Sequence, residues 1–123
     1  MVKDKENKLQ LIPKIERYIE YMLNIIEKLP RTEKFNIGNE YKLSMYKVLE
    51  ETMYITKIED KKECLKMLNL IDAKLSTQRI YLRIMVKQKW IDTKKFEIAM
   101  RLIYEIGKIL GGIIKYYAKN NSK

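Results

Sequence analysis

The sequence predicts an all-α fold, an up-down-up-down four-helix bundle, from three observations. Apolar residues recur at alternating spacings of three and four along four long segments, a period no strand produces. Only four glycines and two prolines stand among 123 residues, too few for the turns of an all-β protein. The stretches between periodic segments are short, as connections between antiparallel helices are. The length is that of one domain, and an apolar content of 46% is too high for a disordered basic tail. The expected organisation is a flexible N-terminus over 1–10, the bundle over 11–118 and a flexible C-terminus over 119–123.

The first helix carries the seam Ile12, Ile15, Ile19, Met22, Ile26 and Leu29. Pro13 lacks an N–H and fits the first turn, which sets the expected helix at about 12–29. Pro30 then biases Leu29 away from the α region and breaks the pattern. Thr32 and Asn36 are candidate N-caps for the second helix, and Gly38 leaves its exact start open. That helix is periodic from Tyr41, with Met45, Val48, Thr52 and Ile55 on one stripe and Tyr46, Leu49 and Met53 beside it. It ends near Ile58, before Glu59-Asp60-Lys61. Asp60 is the expected N-cap of the third helix, with Glu63 at capping-box spacing. The third seam is Cys64, Leu68, Ile71, Leu75, Gln78, Leu82 and Met85, and the helix lasts to about Lys89. Gln78, its one polar member, either fixes helix register or lies at a subunit contact. Asp92 caps the fourth helix, whose seam is Phe96, Ala99, Ile103, Ile106, Leu110, Ile113 and Tyr117.

Each helix carries apolar residues beyond its seam. Leu11, Tyr18 and Ile25 form a second line at seven-residue intervals, and Leu102, Ile109 and Tyr116 form another. A bundle helix needs an apolar arc of roughly 100°. Surplus stripes left in water make the kind of patch that marks an interface. The expectation is a homo-oligomer, against a wider core that absorbs these residues. Gly107 and Gly111 share one face of the last helix and point to close approach of another backbone. A phosphate-cradling loop is disfavoured, because no Gly-Lys-Ser/Thr follows and the flanks are helical.

Charge is uneven. Lysine and arginine total 26 against 16 acidic residues, a net of +10. Residues 1–72 hold a net +1; residues 73–101 hold eight basic and two acidic residues, a net +6. Arg79, Arg83 and Lys87 repeat every four residues and form a ridge on the third helix. Lys89, Lys94 and Lys95 surround the following turn, and Arg101 opens a basic edge on the next helix. Such a ridge suits polyphosphate, in a salt-dependent way, and arginine's planar fork suits phosphate oxygens. The expected nucleic-acid contacts are Arg79, Arg83, Lys87, Lys94, Lys95 and Arg101. An acidic protein or an anionic lipid is the alternative partner, and a solvated helical face the bland reading. With no base-reading pattern, binding should follow backbone and shape rather than sequence. Trp90 either stacks on a base or closes the end of the core. Cys64 reads as a small buried hydrophobe.

Several function classes are excluded. With no histidine, His-based acid–base chemistry and the common zinc sets are out. The lone Cys64 permits no internal disulfide. Glu50-Glu51 and Glu59-Asp60 are the only acidic doublets, and no seam position is acidic, so a two-metal nuclease centre has no ligands. No enzyme, cofactor or metal site is expected. No apolar run approaches the roughly 18 residues of a membrane span, and Met1 to Leu11 lack the apolar stretch of a signal peptide. The expected location is the cytoplasm.

Two segments carry a resemblance. The first is Leu29-Pro30-Arg31-Thr32-Glu33-Lys34-Phe35-Asn36-Ile37-Gly38. The second is Lys89-Trp90-Ile91-Asp92-Thr93-Lys94-Lys95-Phe96-Glu97, followed by Glu105-Ile106-Gly107-Lys108-Ile109-Leu110-Gly111-Gly112. Together they resemble the Avd-type accessory proteins of diversity-generating retroelements. These belong to a wider four-helix-bundle superfamily that includes proteins encoded by intervening sequences in large-subunit ribosomal RNA genes. The likeness spans about residues 10–117. It implies a ring-like homopentamer whose basic surface contacts RNA or DNA and the element's reverse transcriptase, with no chemistry of its own. Members often have Arg at the position of Lys34, and Trp where this chain has Ile113. The alternative within the superfamily is a ribosomal-RNA intervening-sequence type of bundle, acting as a non-catalytic interaction module.

Overall fold

The computed structural model describes residues 2–121, with side chains over 6–120. Four long helices and one single-turn helix occur, with no strand among the described residues. They are α1 (Val2–Glu27), α2 (Arg31–Lys34), α3 (Ile37–Ile55), α4 (Lys61–Lys87) and α5 (Thr93–Asn121). Around the bundle, α1 packs on α3 and α5, and α4 packs on the same two from the opposite corner. Short turns between sequential neighbours make the topology up-down-up-down. Met1, Ser122 and Lys123, part of the expected flexible tails, lie outside the described residues.

The seams go inside as spaced. Tyr41, Met45, Val48, Thr52 and Ile55 are buried on α3, and Cys64, Leu68, Ile71, Leu75, Gln78, Leu82 and Met85 are buried on α4. On α5 the seam from Ala99 to Tyr117 is buried, while Phe96 is partly covered. The first helix departs from expectation in two ways. It begins at Val2, with Pro13 inside it. The ring removes the hydrogen bond to the Leu9 carbonyl, a change of about 3 kcal/mol in a helix interior. Pro13 and Leu9 are both exposed, so water can reach that carbonyl. On the other face Leu11 is fully buried and the Lys8 ammonium lies 4.8 Å from the centre of the Tyr117 ring. Burial on one side therefore holds the helix together through the proline.

The second departure concerns the surplus stripe. Leu11, Tyr18 and Ile25 are 0%, 1% and 5% exposed, inside the chain's own core. The seam member Ile12 is only partly covered. The wider core absorbs this line, so it offers nothing to a neighbouring copy. Leu102, Ile109 and Tyr116 on α5 are partly buried against the same core.

The turns follow local chemistry. Pro30 stands before α2, and Asn36 before α3 makes no side-chain cap. Gly38 is needed there: a Cβ would sit 3.0 Å from the Ile26 side chain and 3.3 Å from the Glu33 carbonyl oxygen. Asp60 caps α4, its Oδ1 accepting from the Lys62 amide at 3.0 Å. Glu63 does not close a capping box; its Oε1 accepts from the Tyr54 hydroxyl at 2.6 Å. The α4 end is a Schellman motif. The Trp90 amide donates to the Met85 carbonyl at 2.9 Å and the Lys89 amide to Val86 at 3.1 Å. Lys89 takes φ 65°, a left-handed position usually held by glycine. Asp92 then caps α5, accepting from the Lys95 amide at 2.8 Å.

A buried polar layer crosses the middle of the bundle. The Tyr18 hydroxyl donates to Gln78 Oε1 at 2.7 Å. Its single proton is thereby used, so the adjoining Tyr41 hydroxyl must donate to Tyr18. Gln78 Nε2 donates to Ser44 Oγ at 2.9 Å. One glutamine on α4 thus engages α1 and α3, and Gln78 fixes register within the chain. Burial first, and then the neighbouring phenol, raises the ionisation of Tyr18 well above the usual tyrosine value; burial also raises that of Tyr41. The phenols are neutral at pH 7.

Tyr18→Phe strips Gln78 Oε1 of its donor and Tyr41 of its acceptor. It should cost about 1–3 kcal/mol in urea denaturation at pH 7. In the native protein both phenols ionise later folded than unfolded, so their contribution is complete below about pH 10 and lost as pH rises through the folded values. Denaturation midpoints at rising pH should stay level to about pH 10 and then fall.

Candidate nucleic-acid interface

Helix geometry divides the surface of α4. At 100° per residue from the inward Gln78, Arg79 lies on the flank toward α5, and Arg83 and Lys87 step from it round to the outer face. Lys74 and Tyr81 lie on the other flank and meet Glu51 and Tyr41 of α3. Arg79 is partly buried, and Arg83 and Lys87 are exposed. The Arg79 guanidinium rests on α5: a Cβ at Gly107 would come within 2.8 Å of its Nη2. Its Nη1 also donates to Ser76 Oγ at 3.5 Å. Gly107 therefore makes room for an arginine rather than for another backbone. Nothing lies within 4 Å of a Cβ at Gly111 or Gly112. The close backbone approach expected of these glycines is not present within the chain.

The second basic line runs along α5. Lys94 and Arg101 are exposed, and Lys95 is partly buried at the helix start. Arg101 reaches toward α1, where its charge opposes the burial and the Asp92 charge that raise the ionisation of Tyr21. Lys108 and Lys115 continue the line from Lys94 and Arg101 at seven-residue steps, and both are exposed. These two were missed by reading the charge in blocks, although the spacing alone could have found them. Tyr104, 65% exposed, stands one turn before Gly107 between the two basic lines. At 1.5 Å per residue the α5 line is roughly 30 Å long.

Ion pairing does not cancel this surface. Lys14 pairs with Glu105 at 3.8 Å, Lys34 with Glu27 at 2.8 Å, Lys47 with Glu50 at 3.3 Å and Lys74 with Glu51 at 2.9 Å. None of Arg79, Arg83, Lys87, Lys94, Lys95 and Arg101 joins an ion pair among the described residues. Glu97 stands between Lys94 and Arg101 and joins no ion pair among the described residues, and the remaining excess of like charge attracts polyanions. The six do not converge on a point. They form two lines that meet at the α4–α5 turn, a geometry for tracking a phosphate backbone rather than for coordinating a small ion.

At that turn a cavity of about 570 Å³ is lined by Trp90, Lys89, Lys95, Asp92 and Thr93, with Val86 and Ile91 behind. Trp90 packs partly against the core, so it does close the bundle end. Among the described residues no cluster of three or more His, Cys, Asp or Glu could hold a metal. No helix among them is long and apolar enough to cross a membrane.

A family model described as bAvd-like matches residues 9–117. No curated protein shows significant similarity to the chain.

Gly107→Ala should raise helix stability by up to about 0.5–1 kcal/mol in denaturation, because glycine is costly inside a helix. It should also push the Arg79 guanidinium off α5 in a crystal structure of the variant. A net loss of stability instead would show that the guanidinium cannot move.

Proposed function

The chain belongs to the bAvd-like family, and from that premise we propose that it is a basic, non-catalytic accessory subunit that binds nucleic acid and partners a reverse transcriptase in mutagenic copying by a diversity-generating retroelement. The observation that carries this reading is the pair of unneutralised basic lines on α4 and α5. Each cation that meets a phosphate releases a counterion, so many weak contacts sum to useful affinity without reading sequence. The chemistry belongs to the polymerase. The role of this chain is to hold template RNA or cDNA beside it, in the cytoplasm.

Assembly strengthens that role. We infer a homopentamer, with five taken from the family. The surface that favours self-association is the flank of α4 turned away from the basic ridge. Leu70 and Ile84 are 42% and 39% exposed there, with Thr77 between them at seven-residue spacing. Leu43 on α3 is 53% exposed. Burying this flank against another copy leaves Arg79, Arg83 and the α5 line facing outward. Several such faces in one particle raise the effective concentration of each contact.

The double variant Arg79→Glu/Arg83→Glu should weaken RNA retention on filters at least about tenfold, since two phosphate contacts are replaced by repulsion. Its circular dichroism should still show a cooperative melt of the helical fold, since relief of like-charge repulsion offsets the loss of the Arg79 contact with α5. Light scattering should give about 75 kDa for parent and variant alike, five chains of 14.9 kDa. Unchanged RNA affinity would remove the ridge from the function.

A further inference from the structure

The cavity at the α4–α5 turn has a composition that a simple helix connection does not need. We propose that it takes one unpaired nucleobase together with its adjoining phosphate, the base stacking on the Trp90 indole and the phosphate meeting Lys89 and Lys95. This rests on the proposed nucleic-acid binding and narrows it, from phosphate backbone in general to single-stranded segments.

The cavity is an open depression of about 570 Å³, with room for a base that keeps one side in solvent. Trp90 is placed by the Schellman geometry, its amide fixed on Met85 at 2.9 Å. Its indole leans on the core and also lines the cavity, so it forms a held aromatic wall. Stacking on an indole is tolerant of base identity. The polar lining is Lys89, Lys95, Asp92 and Thr93, a net positive set in which one Asp92 oxygen is already taken by the Lys95 amide. Lys89 occupies a left-handed backbone position at φ 65°, where glycine would be relaxed. The turn thus carries a strained lysine at the lip of the cavity. Lys87 and Lys94 flank the same turn, so a strand tracking either basic line arrives at this site. Duplex ends apart, paired bases keep their faces stacked on one another and present only edges and phosphates. The cavity therefore selects single strands, while the ridge binds both forms.

Trp90 is the chain's single tryptophan, so its fluorescence reports this site alone. Full-length protein is titrated with short oligo(dT), short oligo(rU), a blunt mixed-sequence duplex and heparin, following tryptophan emission and, in parallel, binding by anisotropy. Both oligonucleotide strands should quench the emission, whereas duplex and heparin bind with little change. Quenching by oligo(rU) alone supports the site and assigns it to RNA; quenching by oligo(dT) alone assigns it to DNA. Trp90→Leu should lower single-strand affinity about tenfold while leaving duplex affinity unchanged, as loss of one stacked base predicts. Lys89→Gly relaxes the backbone, so its fold is secure, and it should lower single-strand affinity several-fold without affecting duplex. Strand binding with silent tryptophan, equal quenching by heparin, or equal losses for strand and duplex in Lys89→Gly would overturn the proposal. Absence of binding to any nucleic acid would instead overturn the broader function.

Discussion

Gln78 is the residue on which the placement of everything else depends. It sits fully buried on α4, between Leu75 and Leu82 in an otherwise apolar seam. A buried amide left unbonded costs about 1–3 kcal/mol, so α4 is stable only at the rotation and height where Tyr18 and Ser44 can reach it. A slide by one turn would strand the amide and both phenols. The next residue along is Arg79. Once Gln78 points inward, Arg79 is carried about 100° round the helix and onto α5 at Gly107. Arg83 and Lys87 come after it at four-residue steps. The buried hydrogen-bond layer therefore sets where the basic ridge stands, and Gly107 lets its first arginine lie close to the neighbouring helix.

That arrangement separates two jobs within one small chain. Glu27, Glu50 and Glu51 pair with lysines, Glu63 accepts from the Tyr54 hydroxyl and Asp60 caps α4, so these acids are engaged away from the α4–α5 face. The α4–α5 face keeps an excess of cations, with Glu97 between Lys94 and Arg101 and Asp72 in line with Arg79 as its counter-charges. Self-repulsion along it costs stability, and a dense apolar core with a satisfied polar layer is what allows the fold to carry it. On the proposed reading a polyanion meets a surface already in position, so little ordering accompanies contact.

Much of this was legible in the residues because it is periodic. The seams of α3, α4 and α5 came from spacing, and Asp60 and Asp92 were readable as caps because a short acid before a periodic run has one local use. The inward glutamine was visible as the polar member of an apolar seam. The features that escaped are those decided across helices. Pro13 argues for a helix start, and only the burial of Leu11 and Lys8 on the opposite face explains why the helix continues through it. Leu11, Tyr18 and Ile25 looked surplus because arc width alone does not tell how far a core reaches. Gly107 looked like a backbone contact, since sequence cannot show that an arginine from α4 would occupy the space. Lys108 and Lys115 were overlooked for a simpler reason: block sums of charge hide a seven-residue line.

The dependence of affinity on salt tests the central claim most directly. If Arg79, Arg83, Lys87, Lys94, Lys95 and Arg101 meet phosphates, log affinity for a single strand should fall against log salt with a slope of about −4, from roughly 0.7 counterions released per contact. A slope near zero, with affinity intact at high salt, would mean that the basic face is not the binding surface.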